Sequence, residues 1–102
     1  MINITDISYL FTGSNLGLSN NNTGLQKLME ALPNIEIAKY SFADTALSDI
    51  REILTPQTKL KDISGIFAGC KLDSNISLSI DYFNNIKNSL EYANYAFART
   101  TL

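Results

Sequence analysis

The sequence predicts an all-α fold: a small bundle of three to four helices packed around a long C-terminal helix, with a short N-terminal segment on a polar linker. Three observations carry that expectation. The last third of the chain, from Asn75 to Leu102, contains no glycine or proline. Apolar residues recur at i, i+3, i+4 and i+7 over most of residues 24–97, the period of an amphipathic helix. Finally, the 102 residues are 45% hydrophobic, enough for one modest core and only one domain.

Taken in order, residues 1–11 place Ile4, Ile7, Leu10 and Phe11 at helical spacing, a turn or two that must dock to be stable. A strand is the alternative there, because Ile2, Ile4 and Tyr9 also favour β structure. Residues 12–23 shift to Gly, Ser, Asn and Thr and read as a flexible linker. Residues 1–22 are thus an N-terminal segment with its linker, and 23–102 the helical domain. Thr23 is placed to cap a helix over 24–32 with Leu25, Leu28, Met29 and Leu32 on one face, stopped by Pro33.

A second helix is expected over about 35–54, with Ile35, Ala38, Phe42, Ala46, Ile50 and Ile53 inward; a strand over 35–42 competes with its first half. A third runs from Pro56 or Gln57 to about Cys70 on the stripe Leu60, Ile63, Phe67 and Cys70. The last, over 76–99, buries Ile76, Ile80, Phe83, Ile86, Leu90, Ala93 and Phe97, and carries a second stripe of Leu78, Tyr82, Tyr92 and Tyr95. As a helix it is about 36 Å long. No internal repeat is apparent.

The composition narrows the function. Eight basic and ten acidic residues leave a net charge of -2, which argues against a nucleic-acid footprint or an anionic-membrane surface. No apolar run is long enough to span a membrane, and the N-terminus lacks the basic region of a secretory signal. One cysteine, Cys70, fits a reducing compartment, so a cytoplasmic protein is expected. With no histidine, the commonest general base and metal ligand is missing; no catalytic, cofactor-binding or metal-ligating set is expected. Asp44, Asp49 and Glu52 read as a solvated face, and Cys70 as a packing residue without a base to activate it. Gly13 and Gly17 lack the Lys-Ser/Thr of a phosphate loop.

The expected function is therefore a non-catalytic, small helical protein–protein interaction module: an adaptor, an inhibitor or a self-assembling subunit. Its partner is another protein, with homodimerisation through the tyrosine stripe. The partner-binding residues are Ile7, Leu10 and Phe11 on the tethered segment and Tyr82, Tyr92 and Tyr95 on the last helix. Two alternatives remain. Residues 58–83 faintly resemble a helix-turn-helix for DNA, although Asp73 and Asp81 would face phosphate. An enzyme working through Asp, Glu or Tyr would need a concave pocket at Asp44, Asp49 or Asp81.

Overall fold

The computed structural model describes residues 3–15, 23–73, 78 and 81–100. It overturns the helical bundle. Among the described residues there is one α-helix, α1 (Thr23–Ala31), and one 3-10 turn, Asn84–Ile86. α1 forms where its stripe places it, with Leu25, Met29 and Leu32 buried. The helices expected over 35–54 and 56–70 are absent, and residues 81–100 of the expected C-terminal helix are turns apart from that 3-10 segment. Residues 74–77 and 79–80, where that helix would begin, and 16–22 of the polar linker lie outside the described residues.

Among the described residues the architecture is instead a short stack of four coils: coil 1 (5–13), coil 2 (36–44), coil 3 (61–69) and coil 4 (91–99). Parallel bridges join Asp6 to Ile37, Ile37 to Asp62 and Asp62 to Tyr92. The chain has an internal repeat after all, and the hydrogen bonds define its register. Amides of Ile7, Tyr9, Phe11 and Gly13 donate to the carbonyls of Ile37, Lys39, Ser41 and Ala43 at 2.9–3.0 Å. Ala38, Tyr40, Phe42 and Asp44 donate likewise to Asp62, Ser64, Ile66 and Ala68, and Ile63, Gly65, Phe67 and Gly69 to Tyr92, Asn94, Ala96 and Ala98. Alternate amides thus point along the stack. The others close turns inside each coil, as in Leu10 to Ile7, Ser41 to Ala38, Ile66 to Ile63 and Ala96 to Ala93.

Such a turn needs a left-handed residue at its third position. That residue is Tyr9 (φ 63°), Tyr40 (54°), Gly65 (65°) or Tyr95 (62°). Four residues later a second left-handed row follows: Gly13, Asp44, Gly69 and Arg99. Left-handed turns every four residues keep the chain from winding into a helix while leaving inward-facing positions at helix-like spacing. Ala38, Ser41 and Phe42 are buried, as are Ile63, Ile66, Phe67 and Cys70.

Phe11, Phe42, Phe67 and Phe97 stack down the inner side, with successive ring centroids 5.6, 5.9 and 5.8 Å apart. The connecting segments close the other side of this core with Leu25, Met29, Leu32, Leu47, Ile50, Ile53, Leu54 and Ile86. Side chains tie the connecting segments to one another. The buried Gln57 amide donates to the Met29 carbonyl near the end of α1 (3.0 Å), Ser89 Oγ donates to the Leu60 carbonyl (2.8 Å), and the Tyr82 hydroxyl donates to the Ile50 carbonyl. The buried Cys70 thiol donates to the Phe42 carbonyl (3.1 Å), and burial raises its pKa above the ordinary value.

Candidate functional site

The outer flank of the stack is built from its two left-handed rows. In the first, the Tyr9 and Tyr40 rings stack at 5.5 Å and 9°. Gly65 interrupts the row: a Cβ there would run into the Tyr40 ring, which leans across the glycine. Tyr95 resumes it at 73% exposure, and Tyr9 at the other end is 60% exposed. The interruption leaves a concavity of about 260 Å³ lined by Tyr40, Ala68, Tyr95, Ala98 and Arg99. Its floor is methyl groups, its walls are two phenols, and its rim carries a guanidinium.

In the second row, Asp44 and Arg99 meet across Gly69, with Arg99 Nη1 3.4 Å from Asp44 Oδ1. A Cβ on Gly69 would collide with that carboxylate oxygen. Beside it lies an open concavity of about 400 Å³ lined by Gly13, Ser14, Asn15, Asp44, Thr45, Ala46, Gly69 and Lys71. This is the concave surface at Asp44 that an enzymatic alternative requires. Asp44 is there with a lysine and small side chains, and the Thr45 hydroxyl is committed to the Phe42 carbonyl (2.8 Å). Asp49 is turned to Arg51 at 2.8 Å, and the hydrogen bonds from Arg51 hold its pKa below the ordinary value. No group of three or more His, Cys, Asp or Glu among the described residues is placed to hold a metal ion.

The six residues expected to bind a partner are dispersed. Ile7 is buried in the core, Leu10 is 53% exposed, and Phe11 is half-buried against Phe42. Tyr82 is half-buried in the connection between coils 3 and 4, edge-on to Phe83 at 4.9 Å, and burial raises its pKa. Tyr92 and Tyr95 are both exposed on coil 4, at the opposite end of the stack from Leu10 and Phe11. The single stripe expected to hold Tyr82, Tyr92 and Tyr95 does not exist, because the helix that would align them does not form over 81–100. The first helix needed for a helix-turn-helix is likewise absent, since residues 58–73 are turns and extended chain; 74–77 and 79–80 of the second lie outside the described residues.

Sequence reasoning read Tyr9 only as a β-former and missed the alignment of Tyr9, Tyr40, Gly65 and Tyr95. The signal was present: Tyr9-Leu10-Phe11, Tyr40-Ser41-Phe42 and Tyr95-Ala96-Phe97 repeat Tyr-x-Phe, and Gly65-Ile66-Phe67 is its fourth, altered copy.

No helix among the described residues is long and apolar enough to cross a membrane. Comparison with protein-family models, with curated proteins and with solved structures finds no match for this chain.

Proposed function

We propose that the chain is a non-catalytic protein-interaction module that binds through its tyrosine flank. One observation carries this reading: three tyrosines occupy left-handed backbone positions, and two of them stand open to solvent. A non-glycine residue there costs about 1–2 kcal/mol. Gly65 shows that the same turn forms with glycine in this fold. An exposed ring at such a position gives the fold little packing in return, and strain of this kind concentrates at binding sites. Tyrosine offers a large rigid contact surface with a polar tip, the chemistry of interface anchors.

The partner that fits is a protein segment with an aromatic side chain. Its ring enters the notch between Tyr40 and Tyr95, and its acidic or carbonyl group meets Arg99. The proposed compartment is the cytoplasm, where the single buried thiol stays reduced.

Selection of a random peptide display library on the intact chain tests this. Bound peptides should be enriched in aromatic residues, and Tyr95→Gly should weaken them at least tenfold while changing folding stability by less than about 1 kcal/mol. Peptides without aromatic enrichment, or bound equally by Y95G, would defeat the reading.

A further inference from the structure

The two ends of the stack are chemically unlike and mutually complementary. In every junction, one coil's alternate amides donate to carbonyls of the next coil. Among the described residues no coil follows coil 4. Its alternate amides, those of Ala93, Tyr95, Phe97 and Arg99, donate to no acceptor among the described residues. Among the described residues no coil precedes coil 1, and the carbonyls of Asp6, Ser8, Leu10 and Thr12 accept no hydrogen bond. One end is a row of donors, and the other is the row of acceptors that the same register would place against it. Unpaired edges of this kind are templates for adding another chain.

The side chains continue the pattern. Ile7, Ala38 and Ile63 occupy one inward row and are buried; Ala93, the fourth member, is exposed at the coil 4 end. Ser41, Ile66 and Ala96 occupy another and are buried; Leu10, its first member, is 53% exposed at the opposite end. Inward positions are thus uncovered at both ends of the stack and nowhere between them in these rows. The phenylalanine column likewise ends on Phe11 and Phe97, each half-buried.

We infer that the chain associates head to tail with a second copy of itself, the coil 4 edge of one copy pairing with the coil 1 edge of the next. Continuing the observed register fixes the contacts. Ala93, Tyr95, Phe97 and Arg99 amides donate to the carbonyls of Asp6, Ser8, Leu10 and Thr12 of the second copy. Within the stack, Glu36 and Ile37 amides share the Thr5 carbonyl, and Glu91 and Tyr92 share that of Lys61. The same rule gives the Glu91 carbonyl to the second copy's Thr5 and Asp6. Phe97 extends the aromatic column onto Phe11, and Tyr95 stacks on Tyr9 as Tyr9 stacks on Tyr40. Arg99 reaches Asp44 across the second copy's Gly13, as it reaches its own Asp44 across Gly69. No like charges face each other: Glu91 meets Thr5, Asn94 meets Ser8, and Arg99 meets Gly13.

The occupant is a second copy because the rows match it specifically. A generic extended segment would satisfy the backbone edge but not the aromatic column, the tyrosine row and the Gly-Asp-Gly-Arg alternation at once. The contact is heterologous, so it propagates into a linear assembly unless rotation closes it. The axial repeat is about 19 Å, four coil spacings of roughly 4.8 Å. This inference shares Tyr95 and Arg99 with the flank reading, but its test acts at Leu10 and Ala93, so the two can fail separately.

The experiment is sedimentation velocity of the full chain across micromolar to millimolar concentrations, with two end-blocking variants. Leu10→Asp places a charge on the coil 1 end, and Ala93→Asp places one on the coil 4 end. Both positions are open in the single chain, so circular dichroism should show each variant folded as the parent is. The parent chain should grow beyond 11.3 kDa with concentration. Each variant alone should require at least tenfold higher concentration to associate. Their equimolar mixture should recover a dimer, twice 11.3 kDa, and stop there, because only one pair of unblocked edges remains. A parent that stays monomeric throughout overturns the inference. So do variants that associate like the parent, or a mixture that behaves as the separate variants do. A blocked variant that fails to fold is replaced by Leu10→Lys or Ala93→Lys, read the same way.

Discussion

The coil wall and the connecting wall of this molecule enclose the same core by different means. The coil wall is periodic: the same backbone turns, the same hydrogen-bond register and the same phenylalanine recur in each coil. The connecting wall is irregular. Its three segments hold α1, an extended and turn stretch over 45–60, and the 3-10 turn, and the Asp73 amide joins two of them by donating to the Ser48 carbonyl (2.9 Å). On the coil wall each residue is held by its equivalents above and below. On the connecting wall residues are held by burial, local turns, the Asp73–Ser48 backbone bond and side-chain hydrogen bonds such as Gln57 to Met29 and Tyr82 to Ile50. Repetition therefore supplies geometry, and the connections supply closure.

The sharpest way to break this contrast is to remove the centre of the aromatic column. Phe67 is fully buried and touches the rings of both Phe42 and Phe97. Phe67→Ala should cost about 3–5 kcal/mol by urea denaturation, with loss of order spreading to coils 2 and 4. Met29→Ala, equally buried but on α1, should cost less, at the lower part of the roughly 2–5 kcal/mol range for such truncations, and leave the coil register intact. Hydrogen exchange at the Phe42 and Gly69 amides distinguishes the two. If both variants open the same amides, the walls are one cooperative unit and the contrast fails.

Gly65 sharpens the comparison within the coil wall. Its φ of 65° suits glycine, and a Cβ would strike the Tyr40 ring. Gly65→Ala should cost about 1.5–3.5 kcal/mol: left-handed strain of roughly 1–2 plus loss of the Tyr9–Tyr40 stack, worth about 0.5–1.5. Adding Tyr40→Ala should recover the steric part and not the backbone part, which a double-mutant cycle resolves.

Why the sequence reads as helical is now explicable. In each coil the inward residues stand at i, i+3 and i+4: Ile7, Leu10 and Phe11; Ala38, Ser41 and Phe42; Ile63, Ile66 and Phe67; Ala93, Ala96 and Phe97. Closing turns by i to i+3 bonds yields the spacing of a helix face without a helix. The discriminating signal was the left-handed rows, and tyrosine, aspartate and arginine disguise them, since only three of those eight positions are glycine. The repeat itself is hidden by unequal spacing, with the phenylalanines 31, 25 and 30 residues apart. α1 was legible because Pro33 ends it and no left-handed position interrupts it. The candidate surface was legible in residue type, through Tyr92, Tyr95 and Leu10, but not in arrangement. Alignment across coils is a property of the register rather than of any local period.

A smaller effect separates the walls by pH. Burial raises the pKa of the Cys70 thiol above its ordinary 9.0 and that of the Tyr82 phenol above its ordinary 10.0. Both groups are neutral in the folded chain, so their contribution is fully present below those ordinary values. It is lost as pH rises past them toward the raised folded values. Stability should thus hold level up to about pH 9 and then fall. Tyr82→Phe should cost about 1 kcal/mol at neutral pH, the net worth of its bond to the Ile50 carbonyl, and flatten the decline above pH 10. An unchanged alkaline slope would show that Tyr82 is not what the connecting wall loses there.

The smallest expected effect lies on the flank, in the pair formed by Asp44 and Arg99. Both side chains are more than half exposed and the contact is 3.4 Å long, so solvent screening leaves it little net value. In dilute solution, where the chain is a single copy, Arg99→Ala should change stability by less than about 0.5 kcal/mol, and added salt should shrink even that. The same substitution should weaken head-to-tail association measurably, because it also removes the contact across the second copy's Gly13. A loss above about 1 kcal/mol in the dilute chain would mean that the Gly-Asp-Gly-Arg row holds the coils in register itself. The periodic wall would then owe part of its geometry to charge as well as to backbone turns and the phenylalanine column.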